Sequence, residues 1–234
     1  MATHKNLLLC ALSVCLLSPL FSQSDSLSTK GGFGLSIQWQ RLMVELDGLN
    51  SNLADAGYPG LEPGLNELCV ALERRKERGV FSFGFSFAQL DEDEGGMPGR
   101  ETRYRHWQIA ARTTYDLVKS ERWVLGPVLA SYFQYARFSL SEYDPTIGRG
   151  TLNQLLGTEV KSASRFELPT ELGLGVRHYF RLSPSADWLF IGLEGGYRVN
   201  LTSADWRVEG ASSLGGNLVP AEGFYFQLNF GISQ

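Results

Sequence analysis

Apolar and polar residues alternate along most of this chain with a period of two. The cleanest run lies near its C-terminal end. Phe224, Phe226, Leu228, Phe230 and Ile232 share one parity, and Tyr225, Gln227, Asn229 and Gly231 the other. Successive side chains of an extended strand point to opposite faces, so this run predicts a strand with one aromatic-rich face. The pattern recurs upstream. Phe33, Leu35, Ile37 and Trp39 alternate with Gly34, Ser36 and Gln38. Over 67–76, Leu68, Val70 and Leu72 oppose Cys69, Ala71, Glu73 and Arg75; over 80–90, Phe81, Phe83, Phe85 and Phe87 oppose Ser82, Gly84, Ser86 and Ala88. Over 104–117, Trp107, Ile109, Ala111, Thr113 and Tyr115 oppose Gln108, Arg112 and Asp116. Residues 165–180 set Phe166, Leu168, Thr170, Leu172, Leu174 and Val176 against Glu167, Glu171, Gly173, Gly175 and Arg177. Residues 187–201 set Leu189, Ile191, Leu193, Tyr197 and Val199 against Gly192, Glu194, Gly196 and Arg198. Residues 122–140 read as one further strand, with a bulge or kink expected at Pro127, which cannot donate to a ladder. Eight strands result, joined by long and short connections in alternation.

The period changes once. Leu42, Leu46, Leu49 and Leu53 recur at spacings of three and four, which predicts a short amphipathic helix over 42–56, ended by Gly57 and Pro59. It sits inside a long first loop, 40–66. Packing against its own barrel is the plainer reading, and a lid over the mouth is the alternative. The other long loops are 91–103, 141–164 and 203–219.

Composition narrows the picture. At 234 residues, with 43% hydrophobic and 20% charged residues, the chain reads as one ordered domain. A net charge of -4, without a basic patch interleaved with aromatics, offers nothing to nucleic acid. Residues 1–22 read as a secretory signal: Lys5 precedes the apolar run Leu7–Leu17, and Ser18-Pro19 breaks it. Residues 23–30 read as a flexible, Ser-rich leader, and 31–234 as the folded domain. Cys10 and Cys15 would leave with the signal, so Cys69 alone remains and supports neither a disulfide nor a thiolate metal centre.

Alternation suits a soluble sheet with one wet face as well as a membrane barrel. Strands of ten residues or more exceed the usual five or six of soluble sheets. Alternating long and short loops match an even-stranded barrel with both termini on one side. The polar parity also carries charges and glycines in mid-strand. The expectation is therefore an all-β, eight-stranded, antiparallel up-and-down transmembrane barrel. Its lumen has room for side chains only, and they form an interior network of Glu73, Arg75, Arg112, Asp116, Glu167, Glu171, Arg177, Glu194 and Arg198. Counting from the short turns puts Glu171 beside Arg198 on adjacent strands, and Arg112 within reach of Glu194 across the lumen. Trp39, Trp107, Trp123, Trp188 and Trp206 fall near strand ends, where aromatic girdles sit.

On this topology, strand pattern and aromatic last strand, the chain resembles the small eight-stranded outer-membrane barrels of the OmpA-transmembrane-domain, OmpX and OmpW type. The resemblance covers the whole mature chain. The Leu-rich loop helix followed by Gly57-Tyr58-Pro59-Gly60 is similar to uncharacterised outer-membrane barrels of Bacteroidetes-type bacteria. The last strand looks like the signal read by the barrel-assembly machinery, although that signal usually ends on an aromatic and here Phe230 is followed by four more residues. The resemblance implies a monomer in the Gram-negative outer membrane, with membrane lipid and lipopolysaccharide as partners and a structural or surface-interaction role. A narrow transport barrel and an exported, soluble lipocalin-like barrel are the alternatives.

Candidate chemistry is sparse. His106 lies where some outer-membrane lipid-modifying enzymes hold a catalytic histidine, and Ser141, Glu142 and Asp144 are near in sequence, but their spacing does not require convergence. No catalytic residue, metal or cofactor is assigned. His178 reads as an interfacial polar aromatic. Asp91-Glu92-Asp93-Glu94-Gly95-Gly96 lacks the full ligand series of a calcium loop and reads as a solvated acidic loop, with weak divalent-cation bridging to lipopolysaccharide as the alternative.

Overall fold

Each alternating run becomes a stave of one closed sheet. The computed structural model describes residues 32–76, 78–90, 97–118, 120–142, 159–182, 188–201, 205–208 and 222–233. Residues 1–31, where a signal and a leader are expected, and the acidic run 91–96 lie outside the described residues. The strands are β1 (Phe33–Leu42), β2 (Leu65–Lys76), β3 (Gly79–Leu90), β4 (Arg100–Tyr115), β5 (Trp123–Glu142), β6 (Glu159–Glu167), β7 (Pro169–Arg181), β8 (Trp188–Asn200), β9 (Arg207–Val208) and β10 (Gly223–Ser233), with one helix, α1 (Asp47–Asp55).

Sheet order runs β4-β3-β2-β1-β10-β8-β7-β5, and β5 pairs back to β4, which closes the barrel. Every pairing is antiparallel. β6 and β7 are one stave: β6 meets β5 at Gln134↔Glu167, β7 continues in the same register at Ser131↔Thr170, and the break falls at Leu168, just before Pro169. The result is eight staves, with β9 added to the free edge of β6.

The two parities differ sharply in exposure. Outward residues such as Leu174, Phe224 and Leu72 are 65–69% exposed, whereas inward Glu171, Arg198 and Asn229 are 0% exposed. Such a wall of exposed aromatic and aliphatic side chains is stable against lipid, not water. It is the reverse of a lipocalin-like barrel, whose apolar face must turn inward. The chain is a transmembrane β-barrel.

Two elements differ from the sequence expectation. The helix covers only 47–55, because Leu42 belongs to β1, where it is paired with Leu65 and Tyr225. All four leucines still converge on one apolar cluster. The helix ends in a full Schellman motif: the Gly57 N–H donates to Ala54 O (2.9 Å) and the Tyr58 N–H to Leu53 O (2.8 Å), with Gly57 at φ 74°. Pro127 causes no register shift. β5 runs continuously against β7 through Pro127↔Leu174, and its pairing with β4 begins only at Val128. The missing donor falls in a local gap between that pairing and the Leu117 N–H bond to Leu125 O (2.9 Å).

Glycine makes one packing joint. Gly173, Gly196 and Tyr225 form a cross-strand row on the inner face. A Cβ at Gly196 would lie 2.1 Å from Leu172 O, and one at Gly173 would lie 2.4 Å from Tyr225 Oη. Gly173 leaves room for the Tyr225 hydroxyl, and Gly196 lets its stave lie close against the Leu172–Gly173 backbone. Gly196→Ala should therefore destabilise the barrel by about 1–3 kcal/mol, read as a lower urea midpoint for unfolding from lipid vesicles. An unchanged midpoint would show that the joint is slack.

Candidate functional site

The lumen is the most constrained region of the molecule, and its middle is ionic. Charges reach it because period-two alternation turns one side chain in two inward on every stave. They form a string in which acid and base alternate. Glu73 on β2 accepts from Arg177 Nη1 on β7 (2.7 Å), and Arg177 Nη2 donates to Glu194 Oε1 on β8 (2.9 Å). Glu194 in turn meets Arg112 of β4 across the lumen. Arg112 Nη2 also donates to Glu171 Oε2 on β7 (2.8 Å). Glu171 Oε1 accepts from Arg198 Nε on β8 (2.9 Å), and Arg198 forks onto both oxygens of Glu67 on β2 (2.5 and 3.0 Å). His106 ends the string, with its Nε2 3.3 Å from Glu67 Oε1. All these groups are buried.

Neutral polar groups take up the remaining lone pairs. Ser36 Oγ donates to Glu73 (2.8 Å), Asn229 to Glu194 (2.8 Å), Gln40 and Tyr132 to Glu171 (2.5 Å each), and Gln108 to Glu67 (2.7 Å). Buried ions are tolerated only when paired and hydrogen-bonded in this way. Closer to the long loops, Glu167 is held by Arg165, Gln134 (2.6 Å) and Asn200 (3.0 Å).

The structure places the sequence-derived charges in three groups. Glu73, Arg112, Glu171, Arg177, Glu194 and Arg198 form the string, and Glu171 and Arg198 are direct cross-strand partners. Glu167 belongs to the separate cluster with Arg165. Arg75 and Asp116 sit at the short-turn end, apart from the string. Arg75 donates to the carbonyls of Glu121 (2.8 Å) and Ser120 (2.7 Å) and covers the Tyr179 ring, while Asp116 Oδ1 accepts from the Val118 N–H (3.1 Å). Parity gives the face of a side chain but not its height. Sequence reasoning left Glu67 and Arg165 out of the network, and it set Gln38, Gln108, Gln227 and Asn229 on the polar parity without giving them a part in it. Glu67 shares the parity of Cys69 and Glu73, so that signal was present at the strand's end.

Both mouths are closed. At the long-loop end, Leu42, Leu46, Leu53 and Leu61 pack with Tyr104, Phe138 and Trp206 into an apolar plug. α1 is tied into it: Asn50 exchanges two hydrogen bonds with the Leu61 backbone (2.9 Å each), Thr102 Oγ1 donates to Pro59 O (2.7 Å), and Arg100 donates to Ala56 O (2.6 Å). At the short-turn end, Val80, Val124, Tyr179 and Phe190 pack together with Trp188 against them. Trp206 is thus fully buried in the plug and Trp188 packs at the inner mouth, so of the five expected girdle tryptophans only Trp39, Trp107 and Trp123 stand exposed on the outer wall. A void of about 10 Å³ between Gln40, Glu67, Cys69, Gln108, Arg112 and Tyr132 has room for one water at most.

The histidines are divided. His106 faces the lumen beside Tyr104, whereas Ser141, which falls on the opposite, outward parity, is the cross-strand partner of Glu101. Glu142 pairs with Arg100 (3.1 Å), and Asp144 lies outside the described residues. No nucleophile–base contact forms between His106 and Ser141. His178 stacks on the outer wall between Trp123 (4.1 Å) and Phe180 (4.4 Å).

No protein-family model matches the chain, and no curated protein matches its sequence. Solved structures resemble it in fold. Neisserial surface protein A is 12% identical, with 86% of this chain and 95% of that chain covered and a TM-score of 0.40. A major outer membrane protein from Thermus thermophilus is 17% identical over 86% and 98%, at 0.40. The outer membrane protease OmpT from Escherichia coli is 9% identical over 89% and 98%, at 0.36. No residue role is carried from them to this chain.

Breaking the string should be costly. Arg112→Met removes the guanidinium shared by Glu171 and Glu194, leaving them only Arg198 and Arg177, and is expected to destabilise the barrel by about 3–5 kcal/mol. The double variant Arg112→Met/Glu194→Gln should cost less than the sum of its two single changes, because the two sites share an interaction. Urea titration of all three variants in vesicles reads the coupling. Strict additivity would mean that the two residues do not act as a pair.

Proposed function

We propose that this chain is a monomeric barrel of the bacterial outer membrane with a structural or surface-interaction role, whose recognition is carried by the long-loop end. The observation that carries the reading is a lumen closed at three levels: an apolar plug, an ionic middle and an aromatic inner mouth. A transport role needs a continuous path, and the void between Gln40, Glu67 and Arg112 in the ionic middle has room for one water at most. Outer-membrane residence is supported by the apolar wall, the closed sheet and the secretory character of residues 1–22. Barrel-assembly machinery and membrane lipid are the partners this residence requires. No catalytic residue enters the proposal, because His106 is turned into the lumen and Ser141 lies on the outward parity.

The plug gives the surface-interaction reading physical content. α1 is held by a Schellman end, by Asn50 and by Arg100, so among the described residues the first long loop forms a fixed cap over the lumen.

Fractionation of expressing cells should recover the chain in the outer membrane, with a heat-dependent mobility shift on a denaturing gel. In planar bilayers the refolded barrel should give no steady single-channel steps. Replacing 47–60 with a Gly-Ser linker should leave it silent, because the ionic middle remains. Steady steps from the intact barrel would favour transport. Recovery in the soluble fraction would overturn the outer-membrane reading.

A further inference from the structure

The outer wall is not uniform around the barrel. Phe87, Trp107, Tyr135 and Phe166 are successive cross-strand partners, so four rings form one row across β3, β4, β5 and β6. Their centroids are close, 4.6 Å for Phe87–Trp107 and 5.1 Å for Tyr135–Phe166. Phe85 and Phe133 extend this patch toward the barrel middle, 5.8 Å from Trp107 and 5.5 Å from Phe166. One outward step toward the long loops, the next row reads Gln89, Arg105, Arg137 and Ser164. Arg105 and Arg137 are direct cross-strand partners, both exposed. Arg103 follows on β4, opposite Ser139.

Side-chain contacts hold these guanidiniums on the wall. Arg105 Nε donates to Gln89 Oε1 (3.0 Å), Arg137 Nη2 to Ser162 Oγ (3.2 Å), and Arg103 Nη2 to Glu101 Oε2 (2.7 Å). Like charges at directly opposed positions repel one another, and the two guanidiniums lean apart, Arg105 toward β3 and Arg137 toward β6, which leaves two cations on neighbouring staves for an anionic phosphate to offset. Their position is also specific: they stand where the aromatic belt ends, the level of lipid headgroups. On the opposite wall, Arg41 has only Asn66 and Phe226 as cross-strand partners. At the short-turn end, Arg74 and Arg181 each cover a separate ring, Phe33 and Trp188.

We propose that the outer wall of β3–β6 is a binding site for a phosphorylated, multiply acylated glycolipid, with Arg105 and Arg137 holding a phosphate and the Phe87–Trp107–Tyr135–Phe166 row receiving the acyl chains. The lipid's identity rests on the outer-membrane reading above, since the long-loop end then lies in the leaflet that carries such glycolipids. The dimensions favour that lipid over a two-chain phospholipid. Strands are about 4.8 Å apart, so the aromatic row is roughly 14 Å from β3 to β6, wide enough for several chains side by side. A third guanidinium, Arg103, offers a contact for a second phosphate.

Purified, refolded barrel in detergent, titrated with lipid A or phosphatidylglycerol and followed by native mass spectrometry, tests the site without reference to cellular location. Lipid A should be retained at least tenfold more tightly than phosphatidylglycerol. Arg105→Gln/Arg137→Gln should lose that preference at least tenfold, while Arg74→Gln at the other end should keep it. If the double variant fails to show a heat-dependent gel shift, the single Arg105→Gln variant replaces it, with a loss of at least threefold expected. Equal retention of lipid A by wild type and variant overturns the proposal. Equal retention of both lipids by the wild type also overturns it. Neither result bears on whether the chain resides in the outer membrane, which fractionation decides separately.

Discussion

Charge satisfaction inside a closed, lipid-facing sheet governs the rest of this structure. Lipid outside requires that outward residues in the middle of the span be apolar, so ionisable groups at that depth turn inward. The lumen of an eight-stave barrel excludes bulk water, so those groups must neutralise one another. Four carboxylates and three guanidiniums accordingly alternate from Glu73 to Glu67, with His106 at the end. Glycines on the inner face follow from the same crowding: a Cβ at Gly192 would lie 2.7 Å from Arg177 Cγ, and one at Gly175 3.0 Å from Glu194 Cγ.

Much of this was legible in the sequence because a strand has a period that admits no drift. Parity alone assigns Phe83 outward and Glu171 inward. Distance from a short turn adds height, which is why Glu171 can be read beside Arg198. Height becomes uncertain toward the ends of staves. Arg75 and Asp116 have the inward parity, yet turn geometry claims them. Glu67 lies near the start of β2, at the edge of the expected strand 67–76, where parity alone does not say that it reaches the network. Trp206 is a different case. It stands in a segment with little periodicity, and only tertiary packing sends it into the plug rather than onto the outer wall. The helix start failed for a related reason: Leu42 fits a helical stripe and a strand equally well, and its partners Leu65 and Tyr225 decided the matter.

Function is less legible than fold because the two parts of the molecule answer to different demands. The staves are fixed by lipid outside and charge pairing inside, and both demands are generic. The surfaces free to specialise are the long-loop end and the outer wall. The guanidinium row on β4 and β5 departs from the apolar rule of the wall, and it does so at the level where lipid headgroups begin.

The ionic string also bears on how the barrel comes together. Its links join β2 to β7, β7 to β8, β8 to β4, β4 back to β7, and β8 to β2. Of these only β7 and β8 are neighbours in the sheet. An open sheet, however well its hairpins had formed, would hold Arg112 and Glu67 away from their partners. A half-built intermediate therefore carries uncompensated charge, and the seam that joins first strand to last brings it into register. Closure is the event that discharges the sheet, and the lumen serves as an electrostatic latch that sets only when the last stave is in place.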